Sequence, residues 1–255
     1  MSGTRNSPAL FLYALRLADN ALILGHRLSE WIGHAPLLEE ELALGNVALD
    51  LIGQARALYA YDGAIEGKGR DEDALAYLRD APEFRNILLV EQPKGDFAHT
   101  IMRQFLYSAF MHPLWHALTP SRDATLAAIA AKAEKEAAYH LRHASEWLIR
   151  LGDGTEESHR RAQAALDDLW PYAGEMFESD AIEQALIQDG IAVEPAPLRA
   201  DWQRRVDSVL AEAPLAKPAT TCMQSGGRSG RHSEHLGHLL AEMQFLQRAY
   251  PGATW

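Results

Sequence analysis

The chain has 255 residues, of which 47% are hydrophobic and 23% charged, a composition typical of a globular protein with an ordinary core. Its formal net charge of −11 disfavours a nucleic-acid partner, because no global positive field exists to attract a phosphate backbone. The single cysteine, Cys222, excludes an intramolecular disulfide and a cysteine-based zinc site. With no signal-peptide core and no uninterrupted apolar run of membrane-spanning length, we expect a cytoplasmic protein with no membrane partner.

Helical periodicity dominates the sequence and predicts an all-α protein. A first helix is predicted over residues 10–31, with Gly33 and Pro36 as its stop. Pro36 also opens a second helix, whose first turn carries three glutamates and which extends to about Glu66. Proline and acidic residues both suit a helix N-terminus, so this boundary is well marked.

Asp96 is predicted to cap a third long helix, which extends to Leu118 and is strained or ended near Pro113. Later helices are predicted over residues 122–151, 155–177, 180–188, 198–213 and 233–250. Four helices of about 20 to 30 residues followed by shorter ones indicate a helical bundle. We therefore predict one domain over residues 1–255, with a core bundle over about 10–151 and a C-terminal helical extension over about 155–250.

The fourth helix contains the strongest candidate for a metal ligand. Carboxylate-bridged di-iron bundles place Glu-x-x-His on two helices and one Glu on each of two others. On a helical wheel His140 falls on the apolar arc and Glu136 lies at its edge. The residue three positions before His140 is Ala137, so the inward motif lacks its carboxylate. A Glu136–His140 pair remains possible, although a histidine bonded to a nearby carboxylate is also an ordinary structural arrangement.

The other helices offer no complete ligand set. The second helix has no Glu-x-x-His motif, and its nearest equivalents involve Asp50 and Gln54, of which glutamine is a poor iron ligand. On the first helix Asp19, His26 and Glu30 are expected close to a surface stripe, without a paired motif. The pattern of a di-iron bundle is present, but its ligand set is incomplete.

The C-terminal segment begins with a basic, glycine-rich turn, GGRSGR, followed by a helix. Free backbone N–H groups together with Arg228 and Arg231 could hold an anion such as a phosphate. The alternative is that the helix docks on the bundle or on a partner through apolar residues such as Leu239 and Leu240. A single glycine-rich basic turn does not distinguish the two interpretations.

Four blocks of the sequence read ADNALILGHRLSEWIGHAPLLEEELALGNVALDLIGQARAL, FRNILLVEQPKGDFAHTIMRQF, AKAEKEAAYHLRHASEWLIRLGDGTEES and RHSEHLGHLLAEMQFLQRAYPG. They resemble the structural components, designated C, of the bacterial ring 1,2-phenylacetyl-CoA epoxidases. The resemblance extends over nearly the whole chain. It implies a ferritin-like four-helix bundle with additional C-terminal helices and a cytoplasmic role in phenylacetate catabolism.

The resemblance also implies how the chain works with partners. In such a complex a paralogous catalytic subunit holds the di-iron site, a small subunit is present, and an iron–sulfur flavoprotein reductase supplies electrons. The complex uses dioxygen to epoxidise the aromatic ring of a CoA thioester. The resemblance therefore implies a structural subunit with no cofactor of its own and a vestigial metal site. The positions of that vestigial site are Ala137, His140, Glu136, Asp50 and Gln54.

Two alternatives stay open from the sequence. The first is a self-sufficient di-iron oxygenase that uses Glu136, His140 and carboxylates of the second or third helix. The second is a module that binds the CoA thioester through Arg228 and Arg231.

Overall fold

The computed structural model describes residues 8–253, and within that range it contains eleven α-helices and no strand. The all-α prediction is confirmed, and this architecture is consistent with a ferritin-like helical bundle. The helices are α1 (Pro8–Ser29), α2 (Leu38–Glu66), α3 (Glu72–Tyr77), α4 (Leu88–Glu91), α5 (Phe97–Leu118), α6 (Ala124–Gly152), α7 (Glu156–Leu169), α8 (Ala181–Gln188), α9 (Leu198–Glu212), α10 (Glu234–Met243) and α11 (Phe245–Ala249).

The chain divides into two compact units, each built from separate stretches of sequence. The first unit contains the described residues up to Ile32, then Leu42–Pro93 and those from Gly226 onward. The second unit contains Gly33–Glu41 and Lys94–Ser225. The predicted division into a core bundle over 10–151 and an extension over 155–250 stays a prediction.

In the first unit α1 is buried on nearly all sides and packs closely on α2. Gly25 marks the closest approach, because a Cβ atom there would lie 3.0 Å from the Ile52 side chain and 3.3 Å from the Ala48 carbonyl oxygen. Helix α4 also packs against α1. The absence of a side chain at Gly25 therefore lets the two long helices of this unit meet.

In the second unit α5 packs along α6, and both α7 and α9 pack on this pair. Gly152, the last residue of α6, lies against the residue that follows α9. A Cβ atom on Gly152 would lie 2.0 Å from the carbonyl oxygen of Ala213. The end of α6 therefore requires glycine for a packing reason.

Capping residues set the helix starts that the sequence predicted. Asp96 accepts a hydrogen bond from the His99 N–H at the start of α5, and Thr155 accepts one from the Ser158 N–H at the start of α7. Asp180 caps α8 through two backbone N–H groups. Each cap satisfies N–H groups that have no partner within the helix.

The predicted end of the third long helix is confirmed, and two later boundaries differ by several residues. Helix α5 ends at Leu118, as predicted, and it continues through Pro113, because buried side chains on both sides of the proline, including Trp115, offset the lost backbone hydrogen bond. Helix α7 ends at Leu169 and is followed by two 3₁₀ turns rather than extending to residue 177. The last predicted helix is interrupted at Gln244, which caps α10 and whose side chain bonds to backbone carbonyls outside that helix.

Within residues 8–253, one helix is long and apolar enough to cross a membrane by length and composition alone. This helix is α1, and 78% of its most apolar window is buried inside the protein. It is not an uninterrupted apolar run, because it contains Arg16 and Asp19. A core helix that is enclosed on all sides has the same composition, and this is how α1 is used here.

Candidate functional site

The predicted vestigial metal position on α6 lies in the second unit. Ala137 and His140 are both buried, with 3% and 2% of their surface exposed. Glu136 forms an ion pair with Lys132 at 3.3 Å, one turn away on the same helix. Because Ala137 carries no ligand atom, α6 does not supply the Glu-x-x-His half of a di-iron site. The donor set on this helix therefore does not fit a di-iron centre.

The other two predicted positions lie on α2 in the first unit. Gln54 is buried, with 5% of its surface exposed, and Asp50 is partly exposed. Across residues 8–253 the structure brings together no group of three or more His, Cys, Asp or Glu side chains that could hold a metal ion. The assignment of these positions to a vestigial site remains a prediction.

The glycine-rich turn of the first unit is a packing element. The N–H groups of Ser229 and Arg231 donate to the Gly226 carbonyl, and the N–H of Gly230 donates to the carbonyl of Gly227. The expectation of free N–H groups for an anion is therefore wrong at these three positions. Gly227 also touches the segment before α4, since a Cβ there would lie 2.2 Å from the Asn86 carbonyl oxygen.

The two predicted anion contacts lie at this turn. Arg231 is exposed, and its stem lies over Gly226, where a Cβ atom would meet the Arg231 side chain at 3.2 Å. Arg228 is partly buried. The prediction that Arg228 and Arg231 contact CoA is untested by this arrangement.

A buried ionic cluster in the first unit was not predicted from the sequence. Asp19 on α1 is fully buried, although it was expected near a surface stripe. Its carboxylate accepts hydrogen bonds from the Tyr59 hydroxyl at 2.5 Å, from the Arg85 N–H at 2.7 Å and from two nitrogens of Arg79. Asp19 thus connects α1 to α2 and to the segment that carries Arg79 and Arg85.

Arg79 is the cation of this cluster. Only 3% of its surface is exposed, and its guanidinium also lies over the Phe84 ring, 4.1 Å from the ring centre. Burial alone would lower the pKa of Arg79, but the adjacent Asp19 outweighs burial and raises it. Arg79 therefore stays charged inside the protein, where removing its counter-charge is costly.

Asp62 lies near the same cluster without being part of its hydrogen bonds. It is fully buried, and neither carboxyl oxygen has a hydrogen-bond partner among the residues that the structure describes. Burial, together with the negative charge of Asp19, raises the pKa of Asp62 well above its ordinary value. Asp62 is therefore held as a neutral carboxylic acid, because Asp19 already balances the charge of Arg79.

A second buried ion pair joins α4 to the C-terminal segment of the first unit. Glu91 is fully buried and accepts hydrogen bonds from His232 Nδ1 at 2.7 Å, the Ser233 N–H at 2.6 Å and Asn86 Nδ2 at 2.8 Å. The other ring nitrogen of His232 lies 3.0 Å from the carbonyl oxygen of Phe84, which can only accept.

Both ring nitrogens of His232 therefore donate, so the imidazole is cationic. Burial opposes this charge, but the hydrogen bond and charge of Glu91 outweigh burial and raise the pKa of His232. The pair fastens the glycine-rich turn and the start of α10 to α4. The backbone carbonyl of Glu91 adds to this junction by accepting two bonds from Arg27 of α1.

The buried carboxyls of these clusters are not arranged for chemistry on a substrate. Asp19, Asp62 and Glu91 all have 0% of their surface exposed, so a substrate in solution does not reach them. Their partners come from separate stretches of the first unit: α1, α2, the segment from Arg79 to Glu91, and the segment after Gly226. The clusters hold these stretches together, which is a structural role.

The sequence carried one signal of these clusters. Asp19 lies in a mainly apolar stretch of α1, LRLADNALIL, whose other polar residues are Arg16 and Asn20, and a charge that is buried in such a stretch requires a partner. Its partner, Arg79, is 60 positions away, and His232 is 141 positions from Glu91. No local spacing rule relates residues at such separations.

Two comparisons with known proteins place the chain. A family model described as phenylacetic acid catabolic protein (PaaA_PaaC) matches residues 1–255. The chain is also 51% identical, over 246 residues, to the C component of 1,2-phenylacetyl-CoA epoxidase from Escherichia coli strain K12. That alignment covers 96% of this chain and 99% of the relative.

Proposed function

Because this chain belongs to the phenylacetic acid catabolic protein family, we propose that it is the structural subunit of a multicomponent ring 1,2-phenylacetyl-CoA epoxidase. The observation that carries the proposal is the 51% identity to the C component of such an epoxidase across 99% of that relative's length. An alignment of this extent leaves few residues for an insertion or deletion that would change the role of the chain. The subunit acts in aerobic phenylacetate catabolism, in the cytoplasm.

In this role the chain supports a catalytic subunit that holds the di-iron centre, and it has no cofactor of its own. It buries an apolar helix face of that partner and so fixes the helices that carry the iron ligands. Exclusion of water from such a face supplies most of the association energy of a stable interface. A small subunit and an iron–sulfur flavoprotein reductase complete the assembly and connect to this chain indirectly.

The two alternatives have less support. A self-sufficient di-iron oxygenase needs a carboxylate where this chain has Ala137, and no other described residue replaces it. A CoA-binding role for the glycine-rich turn loses its main physical argument, because three of the turn's N–H groups donate to carbonyls within the turn. Neither alternative is favoured.

The first test is assembly in solution. The purified chain is mixed with the candidate di-iron subunit of the same organism, and the mass of the mixture is measured by light scattering after size exclusion. A heteromer that forms at micromolar concentration is the expected result. Two species that elute independently at that concentration would contradict the proposal.

The second test asks where the iron resides. Iron is measured in the chain purified alone and in the reconstituted complex, with His140→Gln as the matched variant. We expect little iron in the chain alone, and iron and epoxidase activity that are unchanged by His140→Gln in the complex. Near-stoichiometric iron in the isolated chain that is lost in His140→Gln would favour the oxygenase alternative instead.

A further inference from the structure

The C-terminal segment of the first unit is fastened by two separate groups of contacts. In the first group the ring nitrogens of His232 lie 2.7 Å from the Glu91 carboxylate and 3.0 Å from the Phe84 carbonyl oxygen. In the second group Arg27 of α1 donates to the His235 carbonyl oxygen at 3.0 Å, within the first turn of α10. Loss of the first group would therefore leave α10 attached.

Residues 226–233 precede α10 and contain the first group of contacts, and we refer to them as the strap. The strap contributes no buried apolar side chain, since the buried residues within 226–233 are Gly226 and Gly227. Three of its eight residues are glycines, which gain the most conformational freedom when a segment is released. Segments with few buried apolar contacts open locally at a lower cost than the core. Polar contacts therefore decide whether the strap stays closed.

Loss of the His232 proton breaks one of these polar contacts whichever tautomer forms. A neutral imidazole donates through one nitrogen, and its other nitrogen carries a lone pair. That lone pair would face either the Glu91 carboxylate at 2.7 Å or the Phe84 carbonyl oxygen at 3.0 Å, and both of these groups only accept. Glu91 has 0% of its surface exposed, so its carboxylate would also lose the cation that contacts it inside the protein. Deprotonation of His232 therefore favours release of the strap.

The charged groups around His232 come from several elements. Burial lowers the pKa of His232, while Glu91 of α4 and Asp19 of α1 raise it, and the net change is upward. Arg27 of α1 donates to the Glu91 backbone carbonyl, and Arg85, before α4, donates to the carbonyl that faces the His232 ring. The other titratable side chains of the strap and of the first turn of α10, all at least partly exposed, are Arg228, Arg231, Glu234 and His235. Among all of these groups, His232 carries the titratable proton that bonds the strap to α4.

We propose that the strap opens locally when His232 loses its proton, while α10 stays docked on the unit. In the open strap the His232 ring meets water, and its pKa returns to an ordinary value of about 6.5. The pKa of the closed form is raised, so the proton supports closure fully below about pH 6.5, and this support is lost as the pH rises through the raised pKa. The opening goes beyond the proposed function, since it is a motion within one chain that needs no catalytic partner.

The size of the effect follows from the number of bound protons. Between about pH 6.5 and the raised pKa, the closed strap binds one proton more than the open strap, so the equilibrium constant for opening grows about tenfold per pH unit. Backbone N–H groups of the strap report this opening. The Ser233 N–H donates to the Glu91 carboxylate at 2.6 Å, and those of Gly230 and Arg231 donate to carbonyls within the turn. These N–H groups exchange with solvent once the strap opens.

The test is hydrogen exchange of the purified full-length chain, measured by NMR from pH 6 to 8.5. Each exchange rate is divided by the intrinsic rate of an unstructured amide at the same pH, which gives a protection factor. We expect the protection factor of the Ser233 N–H to fall about tenfold per pH unit between about pH 6.5 and the raised pKa. The Gln244 N–H, which donates to the Leu240 carbonyl at the end of α10, should stay more protected at every pH.

Two variants remove the titration, and a third is the matched control. His232→Gln keeps a polar side chain that cannot ionise, and the protection of the Ser233 N–H should then be independent of pH. Glu91→Gln removes the carboxylate that raises the pKa of His232, so it should abolish the pH dependence above about pH 6.5 as well. His238→Gln changes an exposed histidine of α10 and should retain the tenfold dependence. Circular dichroism establishes that each variant is folded.

The proposal is overturned if the protection of the Ser233 N–H does not change with pH in the unaltered chain, or if His232→Gln retains the tenfold dependence. It is also overturned if the Ser233 and Gln244 N–H groups are equally protected, because the strap then opens only when the whole unit unfolds. None of these outcomes bears on the proposed function, which depends on association with the catalytic subunit.

Discussion

Replacing Asp62 by asparagine should stabilise the protein at neutral pH, and the gain should grow with pH. The substitution keeps the size of the side chain and its lack of hydrogen-bond partners, and it removes only the ability to ionise. In the folded protein Asp62 keeps its proton, since burial and the neighbouring charge of Asp19 raise its pKa. In the unfolded chain the same carboxyl loses its proton above about pH 4.

The size of the stabilisation by Asp62→Asn follows from the difference in bound protons between the folded and the unfolded protein. Above about pH 4 the folded state binds one proton more than the unfolded state at this position, so stability falls as the pH rises. The slope is about 1.4 kcal/mol per pH unit until the raised pKa of Asp62 is reached. The asparagine variant carries no such slope, and the gain from Asp62→Asn therefore grows by about 1.4 kcal/mol with each pH unit up to the raised pKa of Asp62.

The assay is urea unfolding of both proteins, followed by circular dichroism at half-unit intervals from pH 4.5 to 8. The free energies of unfolding should coincide near the acid end and diverge as the pH rises. Equal slopes of free energy against urea show that the denatured states are comparable. Parallel pH profiles, or a variant that is less stable at pH 7, would show that Asp62 is ionised in the folded protein and would refute this reasoning.

Asp19→Asn provides an internal check, because it should reverse the sign of the effect. Without Asp19, the guanidinium of Arg79 lacks its counter-charge, and Asp62 becomes the carboxyl able to ionise beside it. In that background Asp62→Asn should destabilise by about 3–5 kcal/mol, which is the usual cost of leaving a buried charge alone. A stabilising effect in both backgrounds would mean that Asp62 does not interact with Arg79.

Three further predictions concern the packing and the second ion pair. Glu91→Gln should destabilise by about 3 kcal/mol below pH 6, since it strands the His232 cation. The loss of stability should shrink as the pH rises through the raised pKa of His232. Urea titrations of both proteins at several pH values measure this difference in the free energy of unfolding. A difference that does not change with pH would contradict the cationic form of His232. Gly152→Ala should lower the melting temperature, because the added Cβ would lie 2.0 Å from a carbonyl oxygen. Gly237→Ala is the control, since its Cβ would have no atom within 4 Å, and it should raise the free energy of unfolding by up to about 1 kcal/mol. Melting temperatures that shift in the same direction in both variants would show that close packing at Gly152 is not the cause. Trp202→Phe should lower the free energy of unfolding by about 1 kcal/mol, because it removes the hydrogen bond of 3.0 Å from the indole N–H to the Leu106 carbonyl. An unchanged free energy of unfolding in urea would show that this hydrogen bond does not stabilise the protein.

Helix starts and the fold class were predictable because they depend on local chemistry. Asp96, Thr155 and Asp180 each cap the helix that the sequence assigned to them. The missing carboxylate before His140 was likewise visible from spacing alone. The end of α5 at Leu118 was predicted as well, but a local rule left open whether the helix would end near Pro113, and the buried neighbours that keep α5 intact are a tertiary effect.

The buried charges were decided by tertiary structure. Asp19 was expected near the surface, since a carboxylate is costly to bury and no partner is visible nearby in the sequence. Arg79 supplies that partner only after the chain has folded, and the same holds for Glu91 and His232. Whether Asp62 is neutral depends in turn on the charges around it.

The sequence by itself determined that the protein is helical, where most helices begin, which family it resembles and that α6 lacks one iron ligand. These properties follow from residue spacing and from interactions within a few residues. Only the tertiary structure decided which charges are buried together and which glycines are required by close packing. Those properties depend on contacts between residues that are distant in sequence, and such contacts exist only once the helices have packed.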